Sequence, residues 1–309
     1  MDSIFLNGFG YAAQIAPARG GSLLSLARPA LKAESLRTPP DGPLDNPFLY
    51  GTPLLFPPNR IAGGRFAFEG RDYALPVNEP ATGCFLHGAL HRTPFQVRYA
   101  DTLCAKLFYH APAGAYMGFP HAFSILLTYR LSERGLLQQA DVTNDSPERM
   151  PMGLGWHTAF RIPFLPDSAP EDIRLQASVE AEYPRDMHTY LPTWETVDDS
   201  SLRRALNEGT LTPCKESLSR HFRQGNAHRM TLMDVRSGVQ IGYDTPDYDF
   251  YMIYNGGAGD FICVEPQTWV NDAPHAPYPP EESGFCALEP GETRRLSSLF
   301  SIEKTEIRA

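Results

Sequence analysis

The sequence predicts an all-β protein, a large antiparallel β-sandwich with very little helix. Apolar and polar residues alternate at period two in segment after segment. Proline is dense: 29 of 309 residues, beside 25 glycines, break the chain into short pieces. Helix signals gather at one place only. No composition break, charge run, linker or internal repeat divides the chain, so residues 1–309 are expected to form a single domain.

In chain order, Gln14–Ala16 and Ser22–Leu26 flank Gly20-Gly21 and read as a hairpin, with Pro29 blocking a helix beyond it. Residues 37–53, rich in proline and glycine, read as irregular loop. Leu54-Leu55-Phe56 is a short apolar strand stopped by Pro57-Pro58, which sets Asn59 and Arg60 just past its end. Hairpins are expected at Arg65–Leu75, at Phe123–Thr143 around Ser132-Glu133-Arg134-Gly135, and at Met230–Tyr243 around Arg236-Ser237-Gly238. Phe250, Met252 and Tyr254 alternate once more. The helix falls at Asp199–Leu206, with an acidic or serine cap before it and Gly209 after it.

With 42% hydrophobic and 20% charged residues the chain has the makeup of a globular protein with a sizeable core. A net charge of −9 disfavours nucleic acid and anionic membranes as partners. The N-terminus lacks the pattern of a secretory signal, and no window matches a membrane-spanning helix. The five cysteines (Cys84, Cys104, Cys214, Cys263 and Cys286) contain no CxxC pair. Cys263 and Cys286 read as buried thiols, and the cytoplasm is the compartment expected.

One stretch organises the rest. In Phe261-Ile262-Cys263-Val264-Glu265-Pro266-Gln267-Thr268-Trp269 an apolar run delivers a single carboxylate and meets a proline. This predicts Glu265 at a strand end, facing what lies beyond the sheet. Asn59-Arg60, His87-Gly88 and His157 sit at similar strand or turn ends, the usual place for working groups on a β scaffold. Singly each has a plain structural reading: Arg60 pairing a surface acid, His157 a satisfied, partly buried histidine beside Trp156. His87 and His91 are four apart, but Gly88 and Pro94 argue against a metal-binding helix, and no HExxH is present. Together, one carboxylate and two imidazoles give acid/base chemistry without a nucleophile. There is no GxSxG, no glycine-rich phosphate loop and no evident second carboxylate of a glycosidase. Trp156, Phe160 and Trp269 are either sugar-stacking faces or core.

Gly51–Ile61, Leu86-His87-Gly88, Gly155–Phe160, Val264–Trp269 and Leu288–Thr293, in that order, resemble the aldose 1-epimerase (galactose mutarotase) family over nearly the whole chain. The resemblance implies a β-supersandwich with its site on the concave face of a curved sheet, and a cofactor-free, metal-free reaction. It puts the general base on Glu265 and the general acid on His157. Arg60 and His87, with Asn59 and Gln267 beside them, fall at sugar-binding positions. Two departures bear on which sugar is bound: Ser219 stands where relatives carry an aspartate, and Thr158 follows the histidine where a proline is common. The expected partner is a small sugar, and the expected assembly a monomer or homodimer. The leading reading is epimerisation of a free hexose such as galactose or glucose. Two alternatives are a hexose-6-phosphate 1-epimerase, which needs further basic groups (Arg65 and Arg92 being candidates), and a non-catalytic carbohydrate-binding protein.

Overall fold

A computed structural model of the chain describes residues 3–305, apart from 41, 43 and 45. Two large antiparallel sheets pack against each other. The first has eight strands, in spatial order Gln96–Ala100, Cys104–Ala111, Phe123–Ser132, Gly135–Asn144, Thr293–Lys304, Val239–Asp244, Arg229–Asp234 and Ile173–Ala177. The second runs Val179–Tyr183, Ser219–Gln224, Phe250–Tyr254, Phe261–Gln267, Gly155–Trp156 and Leu54–Leu55, with Ala159–Arg161 also paired to Phe261–Gln267. A four-stranded N-terminal sheet and three two-stranded ribbons complete the architecture. Strand takes 47% of the structure and helix 10%, as the alternation and the prolines imply.

The period-two segments form as their patterns dictate. Phe123–Ser132 and Gly135–Asn144 pair without a slip from Phe123↔Asn144 to Ser132↔Gly135, each burying every second residue or more. The hairpins at 65–74 and 229–244, the pairing of 11–16 with 22–28, and the strand at 250–254 are all present. The helix spans Ser201–Glu208; the Ser200 side chain accepts from Arg203 N, and Gly209 closes it at φ 68°. A second, single-turn helix at Pro280–Ser283, carrying no apolar periodicity, was not legible in sequence. The described residues of 37–53 are irregular apart from a 3-10 turn at Pro47–Leu49. Cys263 is fully buried, whereas Cys286 is only partly so and accepts from Arg294 Nη1 at 2.9 Å.

The sheets meet through large buried rings. Phe160 of the second sheet packs on Tyr243 and Phe300 of the first, which stack on each other at 4.2 Å. Trp156 Nε1 donates to Tyr248 Oη at 2.8 Å, and Trp269 Nε1 donates to the Pro58 carbonyl at 3.0 Å. Both tryptophans are thus core residues with their polar atoms satisfied, and neither offers a face to a ligand.

Glu265 lies within its strand, not at the end. Phe261–Gln267 continues through Pro266, which pairs with Tyr251. Val264 N donates to Thr158 O and Thr268 N donates to Leu154 O, both toward the segment 154–161. By strand alternation the N–H that Pro266 lacks belongs on that same side, between those two bonds. There the neighbouring chain leaves the ladder to turn out His157, so the proline forfeits nothing. Ile262 and Val264 point into the inter-sheet core, while Cys263, Glu265 and Gln267 face the other way.

Ile262 is fully buried and faces away from the polar cluster, so Ile262→Ala should cost about 2–5 kcal/mol through the cavity it leaves. Urea unfolding midpoints of the two proteins measure it.

Candidate functional site

Two main-chain hydrogen bonds, from His157 and His87, shape the centre. His157 follows the two-residue strand Gly155–Trp156, and its N–H donates to Pro53 O at 2.9 Å, which swings the side chain across Glu265. The His157 Nε2 to Glu265 Oε1 distance is 3.2 Å, with both side chains at least nine-tenths buried. Gln267 Nε2 donates to Glu265 Oε2 at 3.2 Å, and Asn59 Nδ2 donates to Gln267 Oε1 at 3.3 Å. This chain of amides fixes the carboxyl from behind.

His87 completes the group. Its N–H donates to Asn59 O, and Asn59 N–H donates to His87 Nδ1 at 3.2 Å. A main-chain donor facing Nδ1 makes that atom the acceptor, so neutral His87 carries its proton on Nε2. One ligand atom each from His87, His157 and Glu265 lie within 4.8 Å of one another, a spacing that would suit a metal ion. The tautomer opposes that use, because Nε2 is a donor rather than a lone pair. Phe48 roofs the imidazoles, its ring centroid 4.9 Å from His87, 4.4 Å from His91 and 5.4 Å from His157.

The electrostatics follow from burial. Desolvation pushes Glu265 up to about 8, against the opposing pull of Arg185, Gln267 and Arg60. Desolvation pushes His157 down to about 3, partly offset by the main-chain carbonyls of His157 and Phe48. His87 is lowered well below its ordinary value by burial, then by His157, Arg60 and His91. The Glu265–His157 pair therefore holds one proton between them over a wide range around neutrality.

Around this centre lies a cationic rim. Arg60 Nε and Nη2 grip Glu79 at 2.6 and 2.7 Å, and Thr82 Oγ1 donates to the same carboxylate. Burial raises Glu79, but these bonds outweigh it and leave its pKa lowered. The Arg60 and Arg185 guanidinium carbons lie 4.9 and 5.7 Å from the Tyr190 ring centroid. Asn271 is the joint of this rim: its Oδ1 accepts from Arg60 N, its Nδ2 donates to Tyr190 O, and its N–H donates to His221 Nδ1. His221 is in register with Met252, and Met252 with Glu265, so all three side chains share one face. Asn59, His87, Tyr190 and Asp272 hold φ of 59°, 60°, 56° and 58°, a concentration of costly left-handed backbone at one place.

All six residues expected from sequence (Asn59, Arg60, His87, His157, Glu265 and Gln267) are thus gathered in one cluster. Gln267 and the Asn59 side chain serve Glu265 from behind, with neither exposed. Arg65 and Arg92 are both exposed, the first on a two-stranded ribbon and the second in a 3-10 turn. Sequence reasoning missed Arg185, Tyr190, Asn271 and Phe48. Arg185 and Tyr190 lie in a loop without periodicity, and a buried asparagine after Trp269-Val270 carries no motif.

The chain matches the family model for aldose 1-epimerase over residues 5–301. A galactose mutarotase-like protein of Clostridium acetobutylicum, of known crystal structure, superposes with a TM-score of 0.91 at 28% identity, over 97% of this chain and 95% of its own. The protein YphB of Escherichia coli K12, described as uncharacterized, is 28% identical over 81% of this chain and 83% of its own. A putative aldose 1-epimerase of Escherichia coli K12 shares the fold at a TM-score of 0.81 and 22% identity, covering 98% of this chain and 99% of its own.

The buried carboxyl has a signature in stability. Its pKa is raised from 4.5 to about 8, so its favourable contribution is complete below 4.5 and is lost as pH rises to about 8. Glu265→Gln should therefore gain on the wild type, by several degrees in Tm, between pH 4.5 and 8. Equal Tm differences at the two ends of that window would contradict it. His157 runs the other way: its contribution is present above 6.5 and lost as pH falls toward 3.

Proposed function

The chain belongs to the aldose 1-epimerase family, and from that premise we propose that it interconverts the α and β anomers of a hexose by opening and reclosing the ring. The observation that carries this reading is the 3.2 Å contact between His157 Nε2 and Glu265 Oε1, a buried acid and base sharing one proton. Glu265 takes the proton of the anomeric hydroxyl while His157 protonates the ring oxygen. The bond from C1 to the ring oxygen breaks and C1 becomes an aldehyde. After rotation about the C1–C2 bond, the freed hydroxyl attacks the other face of the carbonyl. It returns its proton to His157, and Glu265 returns its own to the carbonyl oxygen. Atoms and charges balance, and no covalent intermediate with the protein forms.

The neighbours supply what each step needs. Gln267 holds Oε2, leaving Oε1 as the atom that exchanges protons. His87 presents Nε2–H to a sugar oxygen without competing as a base, because Asn59 N–H occupies Nδ1. Arg60, half-neutralised in reach by Glu79, keeps Nη1 for a hydroxyl. Arg60 and Arg185 together favour the ionised form of Glu265 that ring opening requires. The reading of the chain as a mere sugar binder leaves the shared proton without a role, since binding alone does not need one. Galactose and glucose are the simplest hexoses on which to test the reaction; Arg65 and Arg92, the basic groups expected for a 6-phosphate, are both exposed.

Polarimetry of freshly dissolved α-D-galactose and α-D-glucose tests the reaction. Wild type should speed relaxation to an unchanged final rotation, and Glu265→Gln or His157→Gln should lose about 10²–10⁴ of that acceleration. No acceleration of any aldose would sink the proposal. The rate should also hold through neutrality and decline above about pH 8, where the pair gives up the proton it shares.

A further inference from the structure

Of three arginines grouped at the rim of the site, two are held by carboxylates and one is not. Arg60 is matched by Glu79, and the nearby Arg220 by Glu182 at 3.1 Å. The working pair, ionised Glu265 with protonated His157, is neutral in sum. Arg185 is left over: among the described residues no carboxylate lies within ion-pair distance of it. Its pKa is lowered to about 10, by burial first and then by Arg60, so it stays charged at neutral pH.

Arg185 is also held for a purpose other than packing. Nη2 donates to both the carbonyl and the Oγ of Ser219, each at 2.5 Å, leaving Nε and Nη1 without a partner among the described residues and not sealed from solvent. The loop that carries it is tied down: Asp186 Oδ1 accepts from His188 N, Thr189 N and Thr189 Oγ1, and Tyr190 O accepts from Asn271. Ser219 pairs with Tyr254, and Tyr254 with Cys263, which places the guanidinium one pleat along the sheet face from the row of Glu265. A fixed, charged, partly open donor set one pleat off the row of Glu265 suits a group on the substrate away from the reacting carbon.

We propose that the substrate is an acidic sugar, a hexuronate whose carboxylate is received by Arg185. This rests on the anomer-exchange reading above and sharpens its substrate class. An aldose must keep C1 as an aldehyde or hemiacetal, and an internal carbon cannot become a carboxyl without cutting the chain. The carboxyl of a six-carbon aldose is therefore C6, the exocyclic carbon beside the ring oxygen. A carboxylate brings one negative charge, which closes the balance on Arg185. A phosphate brings −1.5 to −2 and would leave surplus charge beside a Glu265 that must itself ionise. Ser219, the residue that departs from the family's aspartate, is the anchor of this guanidinium; an aspartate there would cancel the charge that the carboxylate needs.

Saturation-transfer NMR between anomeric protons compares D-galacturonate, D-galactose and D-galactose 6-phosphate at neutral pH with no need for pure anomers. Wild type should show kcat/KM about tenfold or more higher for the uronate than for galactose, and Arg185→Gln should erase most of that ratio. Galactose exchanging as fast as the uronate would overturn the inference while leaving the anomerase reading standing. So would a variant that slows both sugars in equal proportion, the mark of an arginine serving Glu265 alone, and so would a preference for the 6-phosphate. Exchange of none of the three, matched by a Glu265→Gln variant that behaves as wild type, would remove the underlying reading and this one with it.

Discussion

A carboxyl sealed into a β-sheet is the constraint on which the rest of this site depends. Glu265 sits at 1% exposure on a strand buried along its whole length, and water cannot stabilise its charge there. Everything near it answers that cost. His157 shares its proton, Gln267 holds one oxygen, and two guanidiniums favour ionisation without touching it. The result is a group that gains and loses a proton near neutrality, which an exposed glutamate does not do. Before a sugar binds, the proton rests with the carboxyl, and imidazole stays neutral. That is the protonation state the mechanism reaches after ring opening, so substrate binding has to favour the opposite arrangement before the first step. The arginines and the incoming hydroxyl supply that preference.

The fold was largely legible, and for a simple reason. Period-two burial is written residue by residue, so the long hairpins at 123–144 and 229–244 appear in sequence with their turns in place. Glu265 itself was legible as a residue but not as a position. Pro266 ordinarily ends a ladder, and only the gap left by His157 on the adjoining segment lets the strand continue through it. That gap is a long-range fact, 109 residues away in the chain. The two tryptophans were ambiguous for a related reason: whether an indole is core or platform depends on where its N–H finds an acceptor, here Tyr248 and Pro58.

The parts of the site missed in sequence share one property. Arg185, Tyr190 and Asn271 act through main-chain bonds and ring contacts between loops, which leave no periodicity and no fixed spacing. By contrast Asn59, Arg60, His87, His157, Glu265 and Gln267 sit next to strands, where a proline, a glycine or an apolar run marks the place. The departure at Ser219 was visible, but its meaning was not, because the arginine that uses it lies 34 residues earlier.

The loop after Tyr183 is joined to the site by few side-chain bonds, chiefly Ser219 to Arg185 and Asn271 to Tyr190. The proton pair belongs to the sheet and is braced by Asn59 and Gln267 instead. Reactivity and selectivity are therefore carried on separate lengths of chain with separate supports. A lineage can exchange the loop and its two anchors, and so change the kind of sugar it admits, while the groups that move protons stay where they are. One scaffold can in this way diversify by trading its rim rather than by rebuilding its centre.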